Sequence, residues 1–308
     1  MHDQRRTSSV DVTKEFKSGF VSIIGRPNVG KSTLLNQILG QKIAITANKP
    51  QTTRNRILGI HTTNDAQVLF LDTPGIHKAT GKLNKYMVDQ ALSACRGVDA
   101  VLFLVEATDR VGGGDDYILD LLAQSELPIF LVINKVDLVA KDKLLPLIQA
   151  YSERFNFQEI IPASAATGEG VESITSLVTQ CLPSGPMYYP EDMVTDMPER
   201  FIVAEMIREQ ILHRTHQEVP YGVAVQVETF EERPGKNLVA IQAVIHVGRD
   251  AHKRILVGKG GSMIRTLGQE SRREIEAFLG TRVFLELFIK VKKNWMDSDR
   301  MLREFGYE

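Results

Sequence analysis

Cysteine is nearly absent: the 308-residue chain has only Cys95 and Cys181. Two thiols inside helix-like apolar patterns cannot staple a secreted fold, which excludes a disulfide framework. Both are expected to be small buried hydrophobes in a reducing compartment. Long apolar runs are missing as well. No stretch approaches the roughly 20 residues that span a bilayer, and residues 1–18 are polar and charged, without the apolar segment of a secretory signal. The expectation is a cytosolic protein with a disordered tail over residues 1–18. Charge of either sign is not in excess, because 37 Lys and Arg stand against 38 Asp and Glu, a formal net charge of -1. That excludes a uniformly basic nucleic-acid coat but leaves room for a local basic patch. Hydrophobic content of 43% and charged content of 24% are ordinary globular values, and the length predicts two domains.

The chain is organised around Gly25-Arg26-Pro27-Asn28-Val29-Gly30-Lys31-Ser32. The apolar run Phe20-Val21-Ser22-Ile23-Ile24 precedes it, and Leu34, Leu35, Ile38 and Leu39 follow at helical spacing, so the order is strand, glycine-rich loop, helix. That order makes a phosphate cradle. Gly25 and Gly30 let backbone N–H groups converge on an oligophosphate, the helix N-terminus adds partial positive charge, and Lys31 supplies a point charge for the outer phosphates. Ser32, with Thr33 beside it in the first helical turn, is placed to ligate magnesium.

Residues 41–45 are expected to be a short extended segment and 46–54 a polar loop. Strands are expected over 56–61 and 67–71, the second ending in Asp72-Thr73-Pro74-Gly75. A carboxylate closing an apolar strand, about 40 residues past Lys31, stands where magnesium and its waters can be organised. Gly75 has no side chain to keep its N–H from a terminal phosphate. Beyond a loop over 75–85, a helix is expected over 83–96. The uniformly apolar runs at 100–105 and 128–133 predict buried parallel strands. The second ends in Asn134-Lys135-Val136-Asp137.

This last segment selects the base. The Asp137 carboxylate can accept from N1–H and the exocyclic amine of guanine, a pair that adenine lacks. Lys135 can lay its stem over the base and Asn134 can tie the loop to the cradle. A strand over 159–162 leads to Ser164-Ala165-Ala166, a small-residue turn that lets the Ala165 N–H approach the guanine carbonyl, and a helix over 171–182 closes the first unit.

The four segments have the order and spacing of the translation-factor class of GTPases, and the Arg-Pro-Asn cradle and Pro50-Gln51-Thr52-Thr53-Arg54 loop resemble the Era branch of bacterial GTPases. The resemblance implies that Thr53, rather than Thr52, reaches magnesium and the terminal phosphate, so Lys31, Thr53 and Gly75 are the candidate catalytic residues. The metal set is Ser32, Thr53 and, through water, Asp72. Ile76 occupies the position where many relatives carry a water-orienting glutamine, which implies hydrolysis near the ~10⁻⁴ per second of an unassisted GTPase until a partner or monovalent cation completes the site. Asn28 is a candidate potassium ligand, or else a turn residue satisfying its own backbone.

Residues 183–198 are turn-rich and are expected to be a linker, with the domains at 19–182 and 199–308. Beyond the linker the expected elements are a helix over 199–215, strands over 221–230 and 238–247, a helix over 251–257, a longer one over 262–279 and a last strand. His213 and His216 could hold a metal only with further ligands, and none is apparent. Gly258-Lys259-Gly260-Gly261 between two helices is the loop of a KH domain, which clamps unpaired nucleotides. From Arg249 to Arg300 there are 12 Lys and Arg against 7 Asp and Glu, so this end is locally positive. Arg265 and Arg272 join the four loop residues as candidate RNA contacts.

The expected fold is therefore an α/β P-loop GTPase domain, with a mixed, mostly parallel sheet and helices on both faces, followed by a smaller α+β type II KH domain. Over residues 19–307 the resemblance to the Era family implies binding of GTP or GDP with Mg2+, with K+ as a further candidate. It also implies binding of the 3′ end of small-subunit (16S) ribosomal RNA, 16S processing and assembly of the 30S subunit. A monomer with no DNA target is expected, cytoplasmic, with the family's peripheral inner-membrane association lacking any visible anchor. Met296 stands where relatives carry a basic residue. Two rival readings are an ATP-using phosphotransferase and a constitutive RNA-binding module with a merely structural nucleotide.

Overall fold

The computed structural model describes residues 15–76, 81–109 and 111–307. The first unit runs β1 (Lys17–Gly25), α1 (Lys31–Leu39), β2 (Ile57–Thr62), β3 (Ala66–Asp72), α2 (Lys82–Ser93), β4 (Ala100–Glu106), α3 (Gly114–Leu122), β5 (Ile129–Asn134), α4 (Leu144–Ser152), β6 (Glu159–Pro162) and α5 (Val171–Cys181). Its six strands lie in the order β2-β3-β1-β4-β5-β6, parallel except for the β2–β3 pairing. The inner strands are buried on both faces, which is why their sequences are continuously apolar rather than alternating. Val21 and Ile23 point to the α1 and α5 side, and Ile24 to the α2, α3 and α4 side.

The second unit comprises α6 (Glu199–Arg214), β7 (Val223–Arg233), β8 (Leu238–Val247), α7 (Asp250–Val257), α8 (Ser262–Leu279), β9 (Arg282–Val291) and α9 (Asp299–Glu304). β8 is central, antiparallel to β7 and parallel to β9. Ile202, Met206 and Ile207 of α6 and Leu267 and Ile275 of α8 form a core with Ile241, Ala243 and Ile245 of β8. The remaining chain end is not peripheral, because Trp295 and Tyr307 pack with Leu83 and Met87 of α2 in a cluster that joins the two units.

Three expectations need correction. Residues 41–45 are not a strand: the Asn36 amide oxygen accepts from Ile43 N and Ala44 N (both 3.0 Å) and its Nδ2 donates to Ala44 O (2.7 Å), so a side chain takes the place of a neighbouring strand. Lys17 and Ser18 belong to β1 rather than to a tail; residues 1–14 lie outside the described residues, as does 77–80 of the loop before α2. Residues 183–198, the expected linker, also act as a strap. Buried Gln67 accepts from Tyr188 N and Tyr189 N, while Ile60 N on edge strand β2 donates to Val194 O (2.8 Å), so the strap covers an otherwise open edge. Cys181 is exposed at the end of α5, with only Cys95 partly buried. Among the described residues no helix is long and apolar enough to cross a membrane.

Candidate functional site

The C-terminal ends of β1, β3 and β5 converge at one edge of the larger sheet, where open α/β folds place their ligands. A cavity of about 410 Å³ opens there, lined by Asn28, Gly30, Lys31, Ser32, Thr33, Thr53, Gly75 and Lys135 among others. Gly75 forms its wall so closely that a Cβ would lie 2.5 Å from the backbone nitrogen of Pro27. Lys31 is buried, and its ammonium donates to the carbonyls of Arg26 (2.8 Å) and Gly25 (3.2 Å). Burial lowers its pKa to about 8, against the opposing pull of Asp72.

Ser32 Oγ donates to Asp72 Oδ2 (2.6 Å) and lies 2.8 Å from Thr53 Oγ1, so three oxygen ligands from three separate segments meet. Thr52 is not among them: its hydroxyl donates to Lys49 O (2.6 Å). The remaining Asp72 oxygen is buried without a hydrogen-bond partner, and burial raises this carboxyl to about 6 despite the Ser32 bond and Lys31. A hard divalent cation fits this all-oxygen set, because it would satisfy the orphaned acceptor. Ile76 is 3% exposed with its side chain in the core, so it presents nothing to water.

Asn134 does tie the loops together, donating to Val29 O (2.7 Å) and accepting from Ala165 N (2.9 Å). The Ala165 N–H expected to face a base thus donates to Asn134. Lys135 has a left-handed backbone (φ 65°), and Glu106 holds its ammonium at 2.9 Å, extending the stem along the cavity wall. Asp137 is exposed in a short turn just beyond, and Ser164 is buried; neither lines the cavity itself. Sequence reasoning overlooked Arg26, which holds the cradle to Asp109 (2.6 Å) after β4 and to buried Asp115 (2.8 Å) in the first turn of α3.

The loop that carries Thr53 is docked on the second unit, and nothing in the sequence separated its cations from solvated ones. Lys42 bridges Glu209 of α6 and Glu274 of α8, and Lys49 donates to the carbonyls of Leu212 and Thr215. Arg54, 1% exposed, donates to Val223 O (2.7 Å), Tyr221 O (2.9 Å) and Tyr307 OH (3.2 Å), and its guanidinium lies 5.8 Å from the Trp295 ring centre and 5.7 Å from that of Tyr307.

The second candidate site is the α7–α8 connection. Lys259, Gly260, Arg265 and Arg272 are exposed, with Gly258 and Gly261 half-buried. Gly260 has φ 58° with open space around it. Among the described residues no cluster of three or more His, Cys, Asp or Glu could hold a metal, so the His213 and His216 pair stays without further ligands of that kind.

Comparison with known proteins matches both units of the fold. Residues 20–135 match the family model described as 50S ribosome-binding GTPase, and residues 218–296 match the KH domain. The chain is 59% identical over 295 residues to the GTPase Era of Geotalea uraniireducens, covering 96% of this chain and 99% of that one. The GTPase Era of Geobacter metallireducens is 58% identical over 292 residues, covering 95% and 98%. Among solved structures, an Aquifex aeolicus Era variant bound to GDP.AlF4- superposes with a TM-score of 0.92 at 37% identity, covering 95% of this chain and 99% of that one. Era in complex with MgGDPNP and nucleotides 1506-1542 of 16S ribosomal RNA matches equally well, with the same TM-score, identity and coverage. Identities of 59% and 58%, over alignments that cover 95% or more of this chain, leave one conclusion: this chain belongs to the Era family of GTPases.

Proposed function

We propose that the protein is a GTP-hydrolysing switch that binds the 3′ end of 16S ribosomal RNA through its KH domain and times a step of 16S processing and 30S subunit assembly. The observation that carries this reading is the docking of the Thr53 loop on the KH domain. Lys42 joins that loop to Glu274, and Glu274 lies on the helix that starts at the RNA-binding loop. A phosphate-dependent rearrangement around Thr53 therefore moves groups bonded directly to the RNA-binding unit. The 16S assignment follows the RNA in the solved relative rather than the family model's name, which refers to the 50S subunit.

In this reading Gly25, Asn28, Gly30, Lys31 and Thr33 hold the phosphates, with Asn134, Lys135, Asp137, Ser164 and Ala165 forming the guanine end. Ser32, Thr53 and, through water, Asp72 would hold magnesium, which would neutralise charge on the outer phosphates. Lys31 and the Gly75 N–H stabilise charge on the terminal phosphate as water attacks it. Ile76 is buried in the core and offers nothing to orient the attacking water, so unassisted turnover is slow. Potassium beside Asn28, whose backbone is left-handed (φ 67°), is our candidate for the completing charge, and replacing K+ by Na+ is its test. Action on the ribosomal subunit would have the protein work in the cytoplasm, and in our reading it works as a monomer.

In the nucleotide-free protein Asp72 must lose its proton to bind a cation. Magnesium affinity is therefore expected to fall about tenfold per unit as pH drops below about 6, and to level off above it. Calorimetric titration with Mg2+ across that range checks this, and a flat profile would contradict the buried carboxyl.

RNA affinity measured at matched salt, with GDP and with a non-hydrolysable GTP analogue, tests the switch; equal values would refute it. The Gly260→Asp variant is the control for the RNA site. Aspartate tolerates a left-handed backbone and meets no neighbour there, so the fold should survive while added negative charge weakens single-stranded RNA binding in both states.

A further inference from the structure

The nucleotide cavity has a wall that the GTPase domain does not supply. Leu212, His213 and His216, at and just beyond the end of α6, border the same cavity as Asn28, Lys31 and Thr53. This wall is fastened in place. Glu209, one turn earlier and 1% exposed, accepts from Thr46 N (2.8 Å) and binds Lys42. A helix C-terminus carries partial negative charge and is a poor neighbour for a polyphosphate. Here Lys49 offsets that charge by donating to the Leu212 and Thr215 carbonyls.

Two exposed imidazoles remain on that wall. Each carries an N–H donor whether neutral or charged. Glu209 Oε1 lies 3.9 Å from His213 Nε2, too far for a hydrogen bond, so that imidazole keeps its donor for another acceptor. Neither histidine belongs to a cluster of three metal-ligating side chains among the described residues.

We infer that His213 and His216 are nucleotide-positioning residues: the RNA-binding domain completes the GTPase site, and its imidazole N–H groups hold the sugar–phosphate of the bound guanine nucleotide. This rests on the guanine-nucleotide reading above. The two domains then share one ligand as well as one interface, and displacement of the KH domain loosens the nucleotide directly.

The test compares full-length wild type, the His213→Ala/His216→Ala pair and the His213→Gln/His216→Gln pair, using fluorescent GDP and a fluorescent non-hydrolysable GTP analogue. The alanine pair is expected to weaken binding of at least one nucleotide about tenfold or more, the worth of a hydrogen bond to a charged group. Glutamine, which keeps an N–H donor at similar reach, should restore most of it. Unchanged affinity in the alanine pair overturns the inference. So does a glutamine pair as weak as the alanine pair, since that would mean the histidines act only through domain packing. Failure of the wild type to bind either guanine nucleotide would instead strike the reading on which the inference rests.

Discussion

Arg54→Ala is expected to lower stability by about 3 kcal/mol and to make RNA affinity indifferent to the bound nucleotide. The guanidinium is buried against two rings and bonded to two carbonyls and a phenol, all from the KH unit. Truncation leaves those acceptors dry, at ~1–3 kcal/mol each before relaxation, and removes cation–π attraction worth up to ~2 kcal/mol when desolvated. Relaxation of Tyr307 and entry of water recover part of the loss. Arg54→Lys keeps the charge but not the fork that reaches both Val223 O and Tyr221 O, so it should fall between wild type and alanine. Urea unfolding followed by Trp295, the only tryptophan, reports the first effect, because this indole packs against the same guanidinium. Paired RNA titrations report the second. A stable Arg54→Ala protein that still distinguishes GTP from GDP in its RNA affinity would show that the latch does not carry the coupling.

Asp137→Asn should lose at least a hundredfold of its preference for guanine over adenine nucleotides. Two charge-assisted bonds at roughly 1.5–3 kcal/mol each account for that figure, and an amide cannot accept from both guanine donors while presenting its own N–H groups. Asp137 is exposed in its turn, so the substitution has little folding cost, and the change reads as recognition rather than stability. Competition of GTP, ATP and xanthosine triphosphate against a fluorescent guanine nucleotide measures it. Unchanged selectivity would remove the guanine assignment and favour the phosphotransferase reading.

The nucleotide segments were legible because each is local. A loop that binds phosphate through its own backbone must lie between an apolar strand and a helix start, and Gly25 to Ser32 declares that arrangement within a few residues. The strand ends at Asp72 and Asn134 were equally plain, because strands buried on both faces read as unbroken apolar runs. The KH loop was legible for the same reason. By contrast, residues 41–45 have strand-like composition, yet one side-chain amide, Asn36 on the preceding helix α1, takes backbone bonds of Ile43 and Ala44. The strap over 183–198 looked like a tether because proline and glycine describe turns, not what the turns lie against.

The sequence by itself determined that a cradle, two carboxylate-tipped loops and a glycine-rich helix connection exist, because the atoms that perform those tasks are close along the chain. Only the tertiary structure decided that Arg54, a cation in a polar loop, is a buried latch, and that two histidines from the other unit face the phosphate cavity. Partners more than 150 residues away set both outcomes, through desolvation and hydrogen bonds that no local pattern records.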